Sequence, residues 1–240
     1  MTDKEKIINL FNKNLKGIDI CLKSYNNKHS GKEGHFIEKK MEIKHNSKNE
    51  PDLYGYEMKK YSNKRNIINN FNNWNDDIKL NRNEFIKIFG NPNPNKNNRY
   101  SWSGYCVPKY NIYNSNGQII KIENNDLIIY YSYSYDKRDN KENIPDFLKK
   151  DNIMIVIWKA EKLEKYINNK FNVKGFFTLK KIDNKYEKIC FGKPFNFEFF
   201  IENFKNKKII FDSGMYEGNS RNYSHFRGMN LLDDLIIEEY

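Results

Sequence analysis

The sequence predicts an α/β fold, and three observations carry that prediction. Short apolar runs with β-branched and aromatic residues (Ile, Val, Tyr and Trp) recur at residues 118–122, 127–133 and 153–158, each with strand character. Segments whose apolar residues fall at helical spacing alternate with such runs. No internal repeat or biased linker interrupts the alternation, and alternating helices and strands pack as a sheet covered by helices.

Taken in order, Thr2-Asp3-Lys4-Glu5 has the layout of a capping box, and Ile7, Ile8, Leu10, Phe11 and Leu15 continue at helical spacing. A second helix follows the segment Gly31-Lys32-Glu33-Gly34-His35-Phe36-Ile37-Glu38, where Phe36, Ile37, Met41 and Ile43 form an apolar stripe and Glu38 is expected near the N-terminal turn. Next comes a bend at Gly55 and a strand carrying Glu57 and Lys59. Residues 63–83 are polar, with Ile67, Ile68, Phe71 and Trp74 at spacings that predict another helix. Residues 91–98 read as an Asn- and Pro-rich loop leading into Arg99 and Tyr100. The strands at 118–122, 127–133 and 153–158 are expected to extend the central sheet. A helix over 161–171, strands over 175–181 and 186–191 and a short helix over 197–204 complete the body.

The chemistry concentrates in Pro51-Asp52-Leu53-Tyr54-Gly55-Tyr56-Glu57-Met58-Lys59. Alternate strand residues share a face, so Glu57 and Lys59 point together while Tyr56 and Met58 face a core. Gly55 allows the turn that returns Asp52 beside them. Two crowded carboxylates favour a hard cation, and Mg²⁺ takes one or two protein carboxylates while keeping water and phosphate oxygens. A nearby lysine offsets repulsion and orients or deprotonates an attacking water. Glu38 offers a third carboxylate from a helix; its plain alternative is a surface acid favouring a helix N-terminus.

Glu38, Asp52, Glu57 and Lys59 together resemble the PD-(D/E)xK nuclease superfamily. The words around them, with Phe89-Gly90-Asn91-Pro92, Arg99-Tyr100-Ser101-Trp102-Ser103-Gly104 and Asp212-Ser213-Gly214-Met215-Tyr216-Glu217-Gly218-Asn219, look like Type II restriction endonucleases of the LlaMI/ScrFI group, related to MvaI/BcnI and MutH. The resemblance covers most of the chain. It implies a nuclease core with a central mixed β-sheet flanked by helices, and a C-terminal DNA-recognition lobe. In a single domain, roughly residues 1–135 would be mainly catalytic and roughly 150–240 mainly recognition. The implied reaction is Mg²⁺-dependent cutting of double-stranded DNA at CCNGG with 5′-phosphate ends, using one or two ions. Asp52 and Glu57 would hold Mg²⁺, Lys59 would handle the water, and Glu38 would hold a second ion or a water attached to it. A protective DNA methyltransferase is the implied genetic partner. Monomer and homodimer both stay open.

The tail supplies candidates for reading bases. Arg pairs bidentately with guanine and Asp accepts from cytosine N4, which makes Asp212, Arg221 and Arg227 base-contact candidates for a G·C-rich site. Tyr223, His225 and Arg99 join them as contacts to bases or phosphates. Asp212-Ser213-Gly214 also matches a serine-protease word, but Phe211 precedes it and His29, His35, His45 and His225 offer no partner context.

Composition is consistent with a polyanionic partner: 240 residues carry a net charge of +11 and a pI near 9.3. Cys21, Cys106 and Cys190 are dispersed and odd in number, which argues against a zinc or redox motif and for a reduced cytoplasm. No apolar run approaches the roughly twenty residues that span a bilayer, so no membrane association is expected. A MutH-like repair nickase and a non-catalytic basic DNA-binding protein remain as alternatives.

Overall fold

The computed structural model describes residues 1–19, 32–44, 49–62, 64–68, 78–219 and 223–240. Its first elements are α1 (Asp3–Asn14), α2 (Lys32–Lys40), β1 (Glu57–Met58), β2 (Lys64–Ile68) and α3 (Arg82–Phe89). A hairpin of β3 (Asn91–Asn93) and β4 (Arg99–Trp102) precedes β5 (Asn116–Glu123), β6 (Asp126–Asp136) and β7 (Ile153–Trp158). Then follow α4 (Ala160–Phe171), β8 (Phe176–Ile182), β9 (Lys185–Gly192) and α5 (Phe197–Lys205). The chain closes with β10 (Ile209–Asp212), β11 (Met215–Tyr216), β12 (His225–Met229) and β13 (Ile236–Glu239).

Two compact units interleave along the chain: Met1–Arg65, Glu164–Phe200 and Met229–Tyr240 form one, and Asn66–Leu163 with Ile201–Gly228 form the other.

The first unit is built on a mixed four-stranded sheet ordered β1-β8-β9-β13. β1 runs parallel to β8, whereas β8, β9 and β13 are mutually antiparallel neighbours. α1 begins where the sequence predicts: Thr2 Oγ1 accepts from the Glu5 amide at 3.2 Å, and Glu5 Oε2 accepts from the Thr2 amide at 2.6 Å. Ile7, Phe11 and Leu15, spaced by four, are fully buried with Ile37, Met41, Met58, Phe177 and Leu179 in one core. Full burial of each such side chain contributes about 1.5–3 kcal/mol, so this face of the sheet fixes α1 and α2. Within the sheet, Gly192 stands opposite Phe176. A Cβ there would lie 2.1 Å from the Phe176 ring, so only glycine admits the ring at this register.

The second unit contains the antiparallel meander β5-β6-β7 and two further three-stranded sheets, β11-β4-β3 and β10-β12-β2, the last taking in β2 where the chain passes between units. Its core is a relay of aromatic rings. Phe85 meets Trp102 edge-on at 4.9 Å, Trp102 meets Phe211 at 5.5 Å, and Phe211 meets Trp158 at 5.0 Å. The buried Gln118 is satisfied at both ends: its Nε2 donates to the Phe89 carbonyl at 2.7 Å, and its Oε1 accepts from Trp102 Nε1 at 2.8 Å.

Several expectations require correction. Strands β5, β6 and β7 form their own meander instead of extending the sheet that holds β1. Ile67 and Ile68 lie on β2 and not on a helix, while Phe71 and Trp74 fall outside the described residues. α3, capped by a reciprocal Asn81–Glu84 box, begins at the end of the segment read as helical. The loop at 91–98 is a hairpin: Asn97 and Asn98 take φ of 53° and 54°, a left-handed conformation that asparagine tolerates better than most residues, and so return β4 against β3. Glu38 sits in the second half of α2, beside Lys39 and Lys40 of its last turn, and so cannot serve the N-terminal dipole.

No helix among the described residues is long and apolar enough to cross a membrane. Cys106 and Cys190 are buried thiols, and Cys21 falls outside the described residues.

Candidate functional site

A polar cluster of the first unit grows from a tight turn. Leu53 and Tyr56 exchange backbone hydrogen bonds of 3.0 and 2.9 Å. Between them, Tyr54 and Gly55 take φ of 49° and 87°. This reverses the chain so that Asp52 Oδ2 accepts from the Met58 amide at 2.9 Å. β1 is held to β8 by the Glu57 amide on the Gly175 carbonyl and the Lys59 amide on the Phe177 carbonyl. Alternation then points Met58 into the α1/α2 core and turns Glu57 and Lys59 to the opposite face.

On that face Lys59 Nζ stands 2.8 Å from Glu57 Oε1. A second ammonium comes from α4: Lys170 Nζ donates to Glu57 Oε1 at 3.1 Å and Oε2 at 3.3 Å. The Glu57 side chain is only 3% exposed, and the two lysines 14% and 16%. Phe171 lies under Lys59, with its ring centre 5.2 Å from Nζ. Burial pushes Glu57 up, but the Lys59 and Lys170 ammoniums outweigh it and hold the carboxyl below its usual range. Asp52 behaves oppositely: burial first, then the Glu57 charge, push its carboxyl up to about 6. Burial pulls Lys170 down, and the Glu57 carboxylate more than restores it.

These features fit a hard divalent cation. Two neighbouring carboxylates are withdrawn from solvent, and one is hard to ionise because of its burial and its neighbour's charge, a cost that a dication would offset. Among the described residues no three His, Cys, Asp or Glu side chains gather into a group able to hold an ion. The Glu57 charge acts on Asp52, so these two carboxylates are neighbours, and Glu38 does not join them as a third. Glu38 lies next to Ile37, which shares the Met58 core, and its Oε2 is 3.3 Å from His35 Nδ1.

The tail residues converge in the second unit. Asp212 on β10 pairs with His225 on β12. Arg227 Nε donates to Asp212 Oδ2 at 2.9 Å, and its terminal nitrogen lies 3.2 Å from His225 Nδ1. With Arg227 as donor, Nδ1 accepts and the imidazole proton sits on Nε2. The Gly104 amide reaches Asp212 Oδ1 at 3.3 Å. Gly214, at φ 68°, lies so close to the imidazole that a Cβ would be 3.0 Å from it. Burial and then the Arg227 charge pull His225 down to about 4. Asp212 and Arg227, expected as separate base contacts, are thus bonded to each other. Tyr223 flanks the imidazole at 5.5 Å between ring centres, and Arg99 stacks on Tyr216 at 3.7 Å. Arg221 falls outside the described residues. Ser213 is fully buried and donates to the Trp102 carbonyl, which makes the protease-like word a structural turn.

Lys170 escaped the sequence reading. Leu163, Ile167 and Phe171 form the buried stripe of α4, and Lys170 borders it. A lysine beside an apolar stripe is indistinguishable from one that snorkels to solvent until the fold brings Glu57 to meet it.

Residues 15–240 match the family model described as LlaMI restriction endonuclease. The chain is 37% identical over 267 aligned positions to the Type II restriction enzyme ScrFI of Lactococcus lactis subsp. cremoris, covering 99% of this chain and 98% of that one. The structure is similar to that of restriction endonuclease MvaI in complex with its cognate DNA, with a TM-score of 0.52 and 17% identity over 99% of this chain and 95% of that one. That likeness is one of fold: mixed α/β, of the PD-(D/E)xK type.

Proposed function

Because the chain belongs to the LlaMI restriction endonuclease family, we propose that it is a Type II site-specific deoxyribonuclease that makes Mg²⁺-dependent double-strand cuts at CCNGG and leaves 5′-phosphate ends. The observation that carries the chemistry is the convergence of Asp52, Glu57 and Lys59 within one buried cluster.

Asp52 and Glu57 would hold Mg²⁺, and Glu38 would hold a second ion or a water attached to it. When bound, Mg²⁺ supplies positive charge to the phosphoryl oxygens and lowers the pKa of an attacking water. Lys59 orients that water in line with the leaving 3′ oxygen. The new P–O bond forms from water, the P–O3′ bond breaks, the water gives up a proton to solvent, and O3′ takes one from solvent to leave as a hydroxyl. Most of the rate gain comes from positioning and charge stabilisation. Roughly residues 1–135 do mainly this chemistry, and roughly 150–240 mainly read the target.

Asp212, Arg227 and His225 form one reading head for G·C pairs, with Tyr223 and Arg99 as further contacts and Arg221 assigned to base contact by its sequence alone. A preset Asp–Arg pair supports this role, since a guanidinium already fixed in plane loses little freedom on meeting a guanine edge. The enzyme works in the cytoplasm beside a methyltransferase that protects host sites, as a monomer or a homodimer. Supercoiled plasmid with Mg²⁺ tests the reading: linear product with ends mapping to CCNGG supports it, a nicked circle points to a repair nickase, and intact plasmid points to a non-catalytic binder.

A further inference from the structure

We propose that Lys170 is a positioning residue of the nuclease centre: its ammonium holds Glu57 in place before a metal ion arrives and completes the positive charge that the reacting phosphate requires. The inference rests on the nuclease reading above and adds a residue to it. Three observations carry it.

First, Lys170 is the group that spans Glu57. It reaches both carboxylate oxygens, at 3.1 and 3.3 Å, whereas Lys59 touches Oε1 at 2.8 Å. A carboxylate gripped on both oxygens has its plane fixed, and because it must give up part of that grip to take a cation, the same contact sets its orientation and restrains its affinity for metal.

Second, Lys170 is itself anchored. Asn168 Oδ1 accepts from the Phe197 amide at 3.2 Å, which ties this turn of α4 to the start of α5. The Asn49 side chain donates to the Lys165 and Tyr166 carbonyls at 3.4 Å each, so α4 also holds the segment three residues before Asp52. The Lys170 stem lies near the Tyr166 ring, with Nζ 5.9 Å from its centre. A side chain on so constrained a helix is not a surface lysine that happens to fall near an acid.

Third, the charges balance in a telling way. Two carboxylates and two ammoniums cancel in the resting centre. A dication then leaves a surplus of two positive charges, equal to the two negative charges shared by a phosphodiester and the hydroxide attacking it. Without Lys170 the resting centre would hold one uncompensated negative charge. It would then attract a dication more strongly in the absence of DNA and stabilise the transition state less in its presence.

The test uses the full chain with Lys170→Met and Lys170→Arg, each checked by circular dichroism. Mn²⁺ binding without DNA is followed by electron paramagnetic resonance, and single-turnover cleavage is measured at saturating Mg²⁺. Lys170→Met should bind Mn²⁺ about tenfold more tightly and cut at least about a hundredfold more slowly. Lys170→Arg should recover both properties to within about tenfold of wild type. Unchanged Mn²⁺ affinity, or wild-type cutting, in a folded Lys170→Met protein overturns the proposal. Should that variant fail to fold, Lys170→Gln, which keeps a donor and drops the charge, is held to the same criteria. A wild-type chain that neither binds Mn²⁺ nor cuts DNA would instead overturn the nuclease reading itself.

Discussion

The carboxylate of Asp52 accepts a hydrogen bond from the backbone amide of Met58, 2.9 Å away and six residues further along the chain. This bond fixes Asp52 beside Glu57, where burial and the neighbouring charge push its carboxyl up to about 6. A carboxyl whose folded pKa exceeds its unfolded one stabilises the fold below the unfolded pKa and loses that contribution as pH rises through the folded pKa. Metal-free protein should therefore lose about 2–3 kcal/mol of stability from this group between roughly pH 4 and 6. Asp52→Asn, whose amide oxygen can still accept from Met58, should unfold at a higher temperature than wild type at pH 7.5 in EDTA, and the difference should vanish near pH 4. Calorimetry at the two pH values checks this, and an unchanged midpoint at pH 7.5 would contradict the burial argument.

The same group sets an acid limb on catalysis. Asp52 must ionise to hold the cation, so single-turnover cleavage at limiting Mg²⁺ should rise through pH of about 6 and level above it. Raising the Mg²⁺ concentration should move the limb to lower pH, because a bound cation favours the ionised carboxylate. A limb that ignores Mg²⁺ would assign the titration to another group.

Glu57→Ala or Lys59→Ala should reduce cleavage at least about a hundredfold while leaving site-specific binding in Ca²⁺ intact. Glu57→Ala should also destabilise the protein, since it leaves the Lys59 and Lys170 ammoniums half-buried without their carboxylate. Filter binding with specific and non-specific duplexes, run beside a cleavage assay, separates the two effects. Wild-type cutting by either variant would refute the site.

If the proposed reading head contacts bases, Arg227→Ala should relax discrimination between the target and a single-base variant by about 1–3 kcal/mol. Asp212→Asn should act in the same direction through the lost Arg227 clamp. Because His225 is pulled down to about 4 it is neutral at working pH, so the discrimination ratio should stay flat from pH 6 to 8.5. Competition cleavage of the two duplexes reads both effects, and a ratio that changes with pH in this range would place a protonated imidazole at the bases.

What could be read from the chain followed the reach of each signal. Asp52, Glu57 and Lys59 were legible because strand alternation and a glycine turn act within eight residues, and the fold keeps all three together. The α1 capping box was equally local. Lys170 was not legible, since its partner lies 113 residues away and nothing in the composition of α4 announces it. β2 was mistaken for a helix because Ile67 and Ile68 sit among asparagines, where apolar spacing is too sparse to fix a period. The strand content of β5, β6 and β7 was plain, but which sheet they join depends on pairing that no single segment encodes.

β1 is two residues long and occupies the edge of its sheet. Its inward amides are taken by β8, and the one that faces outward, on Met58, is taken by Asp52. Both residues of β1 are buried, so a donor left unclaimed there would go without water as well as without a partner. The acid assigned to chemistry thus doubles as the acceptor that closes off a buried edge. Replacing Asp52 by alanine, which cannot accept, should leave the protein less stable than replacing it by asparagine, so a dead enzyme kept intact for crystallising with DNA is better made with the amide.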